Sequence, residues 1–298
     1  MNYVVAVPVD KNLAEFIGKK GGENGITFYN RKSDDNVVVA LFPTNPQEKF
    51  YSFVESMLLA DQIVISTANV DRLLGEALIA AELLGKHLII TEENDIKALL
   101  AGTGIKDFEF SSKEQLLEKI TAYKHKEEAA GVRIDIDQAF PVKGIGSVAL
   151  GIVTRGTVKV HDKLIHSSGK EVEIKSIQSQ DVDQKEASRG TRVGIAMKGI
   201  DSDETDKGDI LCNTRIPKVK SFTLSIKRSA FVAEELKEGG RYTVAANFSH
   251  SIAFLDNLKE MRFTLEKPIA MERGQQIALS REQQPRVFAS GTVTDATA

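Results

Sequence analysis

The 298-residue chain has no tryptophan, one cysteine (Cys212), seven prolines and no long apolar run. One thiol cannot close an internal disulfide. The five histidines are scattered, and neither Cys-x-x-Cys nor His-x-x-x-His spacing occurs, so no metal cluster is expected. The longest stretch free of Asp, Glu, Lys and Arg runs from Tyr242 to Leu255 and is broken by Asn247, Ser249 and His250. It falls short of the ~18 apolar residues a bilayer span needs, so no membrane partner is expected. The N-terminal Met-Asn-Tyr-Val-Val offers no basic region and no cleavage site, which with the lone cysteine points to a cytoplasmic protein. Neither sign of charge dominates, since the net charge is −3.

What is present suits a folded chain. Apolar residues make up 42% and charged residues 27%, which excludes collagenous and wholly disordered classes. At roughly 100 to 200 residues per domain the length implies two or three domains. The charge is graded along the chain, at −6 for residues 1–130, −1 for 131–213 and +4 for 214–298, so a polyanion would meet the C-terminal third.

Up to about residue 125, continuous apolar runs alternate with helical periods. Val4 to Val9, Val37 to Phe42, Gln62 to Ser66 and His87 to Thr91 read as strands of a parallel sheet covered on both faces. Phe50, Phe53, Val54, Met57 and Leu58 form one helical stripe, with Asn45 and Pro46 expected to open the helix. Leu74, Ala77, Leu78 and Ala81 form a second stripe. Ser111 with Glu114 reads as a capping box before Leu116, Leu117 and Ile120. The charged run Lys124 to Glu128, followed by Gly131, reads as a linker. Beyond it short strands dominate, at Ser147 to Val153, Thr157 to Val160, Glu171 to Ile177 and Val193 to Met197. A second β module follows Pro217, with strands at Ser221 to Ile226, Tyr242 to Phe248, Met261 to Leu265, Gln276 to Leu279 and Val287 to Val293; Val232 to Lys237 reads as a short helix or a loop edge.

The middle segment carries ordered detail. Gly144-Ile-Gly-Ser-Val-Ala-Leu-Gly-Ile-Val-Thr-Arg-Gly156, Lys175-Ser-Ile-Gln178, Arg189-Gly-Thr-Arg-Val-Gly-Ile-Ala-Met-Lys-Gly199 and Lys207-Gly-Asp-Ile-Leu211 resemble domain 2 of translational GTPases. The likeness is to elongation factor Tu and to the selenocysteine-specific factor SelB. It implies a degenerate P-loop GTPase-like α/β domain over residues 1–128, a domain 2-like β-barrel over 131–213 and a domain 3-like β-barrel over 214–298. Pro285-Arg-Val-Phe-Ala-Ser-Gly-Thr-Val293 resembles the closing strand of domain 3.

The nucleotide motifs that this resemblance implies survive only as remnants. A phosphate loop needs freed amides, a Lys and a hydroxyl in G-x-x-x-x-G-K-[ST], whereas the loop here reads Val7-Pro-Val-Asp-Lys-Asn-Leu-Ala14 and keeps only Asp10. Asn24-Gly-Ile-Thr27 resembles the first switch, with Thr27 as its magnesium residue. Phe42-Pro-Thr-Asn-Pro-Gln-Glu-Lys-Phe50 resembles Asp-x-Pro-Gly-His-Glu-Lys-Phe. Gln47 stands at the water-positioning place, and Pro46 lacks the amide that would meet the γ-phosphate. Thr91-Glu-Glu-Asn94 replaces the guanine-reading Asn-Lys-x-Asp, and Ser111-Ser-Lys113 retains some likeness to Ser-Ala-Lys. Neither nucleotide nor metal is therefore expected as a cofactor, GTP with magnesium entering only through a substitute site, and no GTP hydrolysis is expected. Gly18-Lys-Lys-Gly-Gly-Glu-Asn-Gly25 reads as a mobile remnant of the first switch, with its glycines and lysines able to present amides and charge to another anion.

The resemblance implies a translation-factor-like protein that binds tRNA or the ribosome through its barrels. Gln178 is the candidate for contacting the tRNA end, and Lys175, Lys227 and Arg228 are the candidates for meeting phosphates. A second reading is a non-enzymatic adaptor whose acidic α/β domain binds a protein partner, and a third is a GTP-binding elongation factor with a non-standard site. DNA is not expected as a partner.

Overall fold

The computed structural model describes every residue except 34–35, 92–95, 126–129, 233–234 and 298. The linker, the boundary at 128, the guanine-reading position and part of Val232 to Lys237 thus lie wholly or partly outside the described residues.

The N-terminal unit runs β1 (Asn2–Ala6), α1 (Lys11–Ile17), β2 (Lys19–Glu23), β3 (Ile26–Lys32), β4 (Val37–Pro43), α2 (Phe50–Leu59), β5 (Gln62–Ser66), α3 (Arg72–Leu84), β6 (His87–Thr91), α4 (Ile96–Leu100), β7 (Glu109–Ser111) and α5 (Leu116–Ala122). Its sheet has the order β2-β3-β4-β1-β5-β6-β7, parallel from β4 to β7, with the β2–β3 hairpin added antiparallel at one edge. Continuous β-branched runs serve strands covered on both faces. Leu13, Ile17, Leu116 and Ile120 cover one face, and Phe53, Met57, Leu74 and Leu78 the other.

Four sequence expectations need correction here. Residues 18–25 are not a mobile loop: Lys19–Glu23 pairs with β3 as an edge strand, and Gly25 turns the hairpin at φ +74°. Asn45 and Pro46 do not open α2. Asn45 sits at φ 51°, and its carbonyl accepts from the amides of Glu48 and Lys49, so the helix starts one turn later at Phe50. Ser111 closes β7 instead of capping a helix, and α5 begins at Leu116 after a turn. The first strand is Asn2–Ala6, displaced toward the N-terminus, because Pro8 has no amide for the ladder.

The middle unit contains β8 (Arg133–Val142), β9 (Gly146–Arg155), β10 (Thr157–Lys159), β11 (Lys163–His166), β12 (Glu171–Ser179), β13 (Val182–Gln184), β14 (Glu186–Ser188), β15 (Arg192–Lys198) and β16 (Ile210–Cys212). The order β11-β16-β8-β9-β15-β12-β13 closes on itself through the β11–β12 pairing, around Ile136, Val153, Ile174, Ile195 and Leu211. The last unit is a closed barrel, β17 (Lys218–Arg228), β18 (Arg241–Ala246), β19 (Ser249–Asn257), β20 (Arg262–Ala270), β21 (Gln276–Ser280) and β22 (Val287–Thr297), in the order β17-β20-β19-β18-β21-β22. The chain is therefore an α/β unit followed by two β-barrels.

The units share buried surface. Helix α2 packs on β18 and β21, and α3 on β22. One apolar cluster holds Phe53, Met57 and Leu83 together with Ala245, Phe248, Ala278 and Val287 of the C-terminal barrel. Phe28 on β3 lies under the Arg192 guanidinium at 3.9 Å and 6.3 Å from the Phe248 ring centre, so all three units meet on it. Between the barrels, Arg133 pairs with Asp135 at 2.8 Å and Glu272 at 2.5 Å. Burial opposes ionisation of Asp135, but Arg133, Thr154 and Asn247 outweigh it and hold the carboxyl below its ordinary range.

Candidate functional site

Open parallel sheets bind ligands at the carboxyl ends of their strands. Here that edge carries Val7, Thr44, Ser66, Thr91 and Ser111, beside the start of α1. Asp10 is the N-cap of α1, its Oδ1 accepting from the Leu13 amide at 3.0 Å. A carboxylate thus occupies the helix end that attracts phosphate in a P-loop. Leu13 and Ala14, in the first turn, are buried in the core.

Thr27 is a buried strand residue whose hydroxyl shares a hydrogen bond with Thr44 at 2.9 Å. The Lys20 ammonium at 2.7 Å, opposed by burial and aided by the Thr27 and Thr44 hydroxyls, holds the Glu23 carboxyl below its ordinary range. These four side chains satisfy one another. Gln47 is exposed in the turn before α2, and its carbonyl accepts from Arg286 at 3.3 Å. Ser111 is buried and donates to the Ser112 carbonyl, while the Lys113 ammonium sits 5.0 Å from the Phe16 ring centre. Among the described residues no group of three or more His, Cys, Asp or Glu side chains is placed to hold a metal ion.

On the middle barrel, a bulge between Ile174 and Ser176 puts Lys175 and Ser176 side by side on the exposed face of β12, with Gln178 two residues on. The Lys175 ammonium donates to the Ile145 carbonyl at 3.0 Å, and Gln178 donates across the β12–β13 hairpin to Asp183 at 2.8 Å. The structure thus brings Lys175 and Gln178 together on one exposed hairpin, with solvent-facing Ile145 and Val182 beside them.

Lys227 lies elsewhere. Its ammonium donates to the Glu82 carbonyl at 2.7 Å in the last turn of α3, where Gln276 reaches Leu84 at 2.9 Å and Ser290 reaches Leu83 at 2.7 Å. These C-barrel donors satisfy carbonyls that a helix end leaves open. Arg228 is the exposed last residue of β17. Lys227 also lines a cleft of about 970 Å³ where the three units meet, with Asp61, Lys86, Tyr123, Arg189 and Gln276. Burial pushes the Lys86 ammonium down to about 8, against the pull of Asp61, while it donates to the carbonyls of Leu58 and Ala60.

Sequence reasoning missed Glu55 and Glu76. Glu55, wholly buried on α2, accepts from Lys207 at 2.8 Å and contacts His250 Nδ1 at 2.8 Å, one partner from each barrel. Glu76, on α3, accepts from the amides of Arg286 at 2.7 Å and Val287 at 3.2 Å. The available signal was a lone carboxylate inside each apolar helical stripe.

An α/β sheet of this order, its helices docked on the second of two barrels, defines an elongation-factor-like architecture. The comparisons agree. The family model "Elongation factor Tu domain 2" matches residues 146–212. Uncharacterized protein MJ0325 of Methanocaldococcus jannaschii is 32% identical over 281 residues, covering 90% of this chain and 91% of the relative. The selenocysteine-specific elongation factor of the same organism is 36% identical over 99 residues, covering 32% of this chain and 21% of the relative. The crystal structure of apo translation elongation factor SelB from Methanococcus maripaludis superposes with a TM-score of 0.80 at 18% identity, over 99% of this chain and 80% of that one. The chain belongs to one family with MJ0325, carries an elongation factor Tu domain 2 over residues 146–212, and has the fold of SelB.

Proposed function

We propose that this protein is a translation-factor-like RNA binder that engages tRNA or the ribosome through its barrels and does not hydrolyse GTP. The observation that carries the reading is the exposed β12–β13 hairpin with Lys175 and Gln178, inside the segment matched by the domain 2 model. Filter binding with aminoacylated and deacylated tRNA at two salt concentrations tests it. Binding at low salt should weaken as salt rises, because displaced counterions drive phosphate contacts. Lys175→Glu should cost about tenfold in affinity, as expected for loss of one charge-assisted contact. Absence of binding to both tRNA and ribosomes at low salt overturns the reading.

The residues present do not fit GTP with magnesium. The Asp10 carboxylate would repel a phosphate, Leu13 and Ala14 are buried, Pro46 has no amide to offer, and Thr27 is engaged by Thr44. Calorimetry with GTP, GDP and magnesium should give no measurable heat at micromolar protein. A micromolar dissociation constant would establish a substitute site instead.

One observation favours the adaptor reading. β7 is a three-residue edge strand whose Phe110 is exposed, with Phe108 just before it, on the acidic unit. An open edge with apolar side chains suits strand addition by a protein partner. Nuclease-insensitive capture that Phe110→Lys abolishes would support it.

A further inference from the structure

The turn of residues 44–49 and helix α2 are held by the chain itself. Arg286, from the C-terminal barrel, lays its guanidinium over the Phe50 ring at 3.7 Å and donates from Nη1 to the Gln47 carbonyl at 3.3 Å. Its own amide donates to Glu76 at 2.7 Å, and its Nε lies 3.5 Å from the same carboxylate. The side chain is only 14% exposed. At the far side of α2, Glu55 joins Lys207 and His250, whose ring stacks on Tyr51 at 3.8 Å. Between these two anchors lie Phe53 and Met57, in the apolar cluster that includes Phe248 and Val287. Ion pairs at either end and apolar side chains between them thus join α2 and α3 to the barrels.

We propose that Arg286 is an internal ligand for residues 44–50, which with Glu55 keeps the α/β unit docked on the C-terminal barrel whether or not a nucleotide is supplied. The inference adds to the reading above the absence of nucleotide gating, and it rests on other residues. Packed interfaces are bistable, and a ligand shifts such an equilibrium only by binding its two states differently. With the Gln47 carbonyl and the Phe50 ring engaged by Arg286 and no amide at Pro46, this turn has little to offer a nucleotide that would favour one docked state over another.

Hydrogen exchange on the full chain tests this. In the unmodified protein, protection of residues 44–59 should change less than twofold on adding GTP or GDP with magnesium. Arg286→Ala should speed exchange over residues 44–59 at least tenfold, leaving residues 146–198 within twofold. Should Arg286→Ala fail to fold, Arg286→Lys serves, since it keeps the charge but loses the planar fork over Phe50 and should show the same local loosening. A nucleotide effect above threefold on residues 44–59 overturns the proposal, as does unaltered exchange in either variant. If calorimetry finds nucleotide binding while exchange stays constant, the reading of no binding falls and the internal ligand stands.

Discussion

At the residue scale, Lys86 sets a measurable pH dependence. Burial lowers its folded-state pKa to about 8 from the ordinary 10.5. Between those values the unfolded chain holds a proton that the folded chain does not, so stability rises with pH through the window. The rise from this group should be roughly 1 to 3 kcal/mol, the ammonium being enclosed while the stem is half-buried. Denaturant titrations at pH 8 and pH 10.5 check it by difference: Lys86→Met should lose that increment. An unchanged increment would show that water reaches the ammonium in the folded state. Asp10 makes a related point about reading single residues. It is a remnant of the phosphate-loop motif in the resemblance, yet its geometry is that of a helix cap, and in one sequence the two read alike.

At the element scale, Lys227 decides between two roles. As a cap on the last turn of α3, it should contribute about 1 kcal/mol, and Lys227→Met should lower the denaturation midpoint accordingly, without altering the salt slope of tRNA binding. A salt slope that falls by about one with no loss of stability would return Lys227 to the phosphate-contact role. The sequence made some elements plain. β5 and β6 read correctly to the residue because uninterrupted apolar runs mark strands covered on both faces. β2 was hidden, since an exposed edge strand of Lys, Gly and Glu carries no apolar signal. β8 alternates Ile134 and Ile136 with Asp135 and Asp137, and these acids are buried on Arg133 and Arg192, partners that no local pattern reveals. β19 vanished into the uncharged stretch that begins at Tyr242, where Asn247 makes its turn at φ 52°. Lys175 and Gln178 could be named from the resemblance, but the bulge that turns them to one face could not.

At the scale of the whole molecule, three cores are legible separately in the hydrophobic pattern, while the seams between them are not. Seams are built from isolated charges: Glu55, Glu76, Arg286, Arg133 and Glu272 each find a partner more than a hundred residues away. Phe28 shows what such a seam entails over generations. Its ring touches Arg192 of one barrel and faces Phe248 of the other. A change of size at any one of the three alters the fit of the other two, so their substitutions are epistatic. Phe28 is therefore not free to change without a matching change in both barrels.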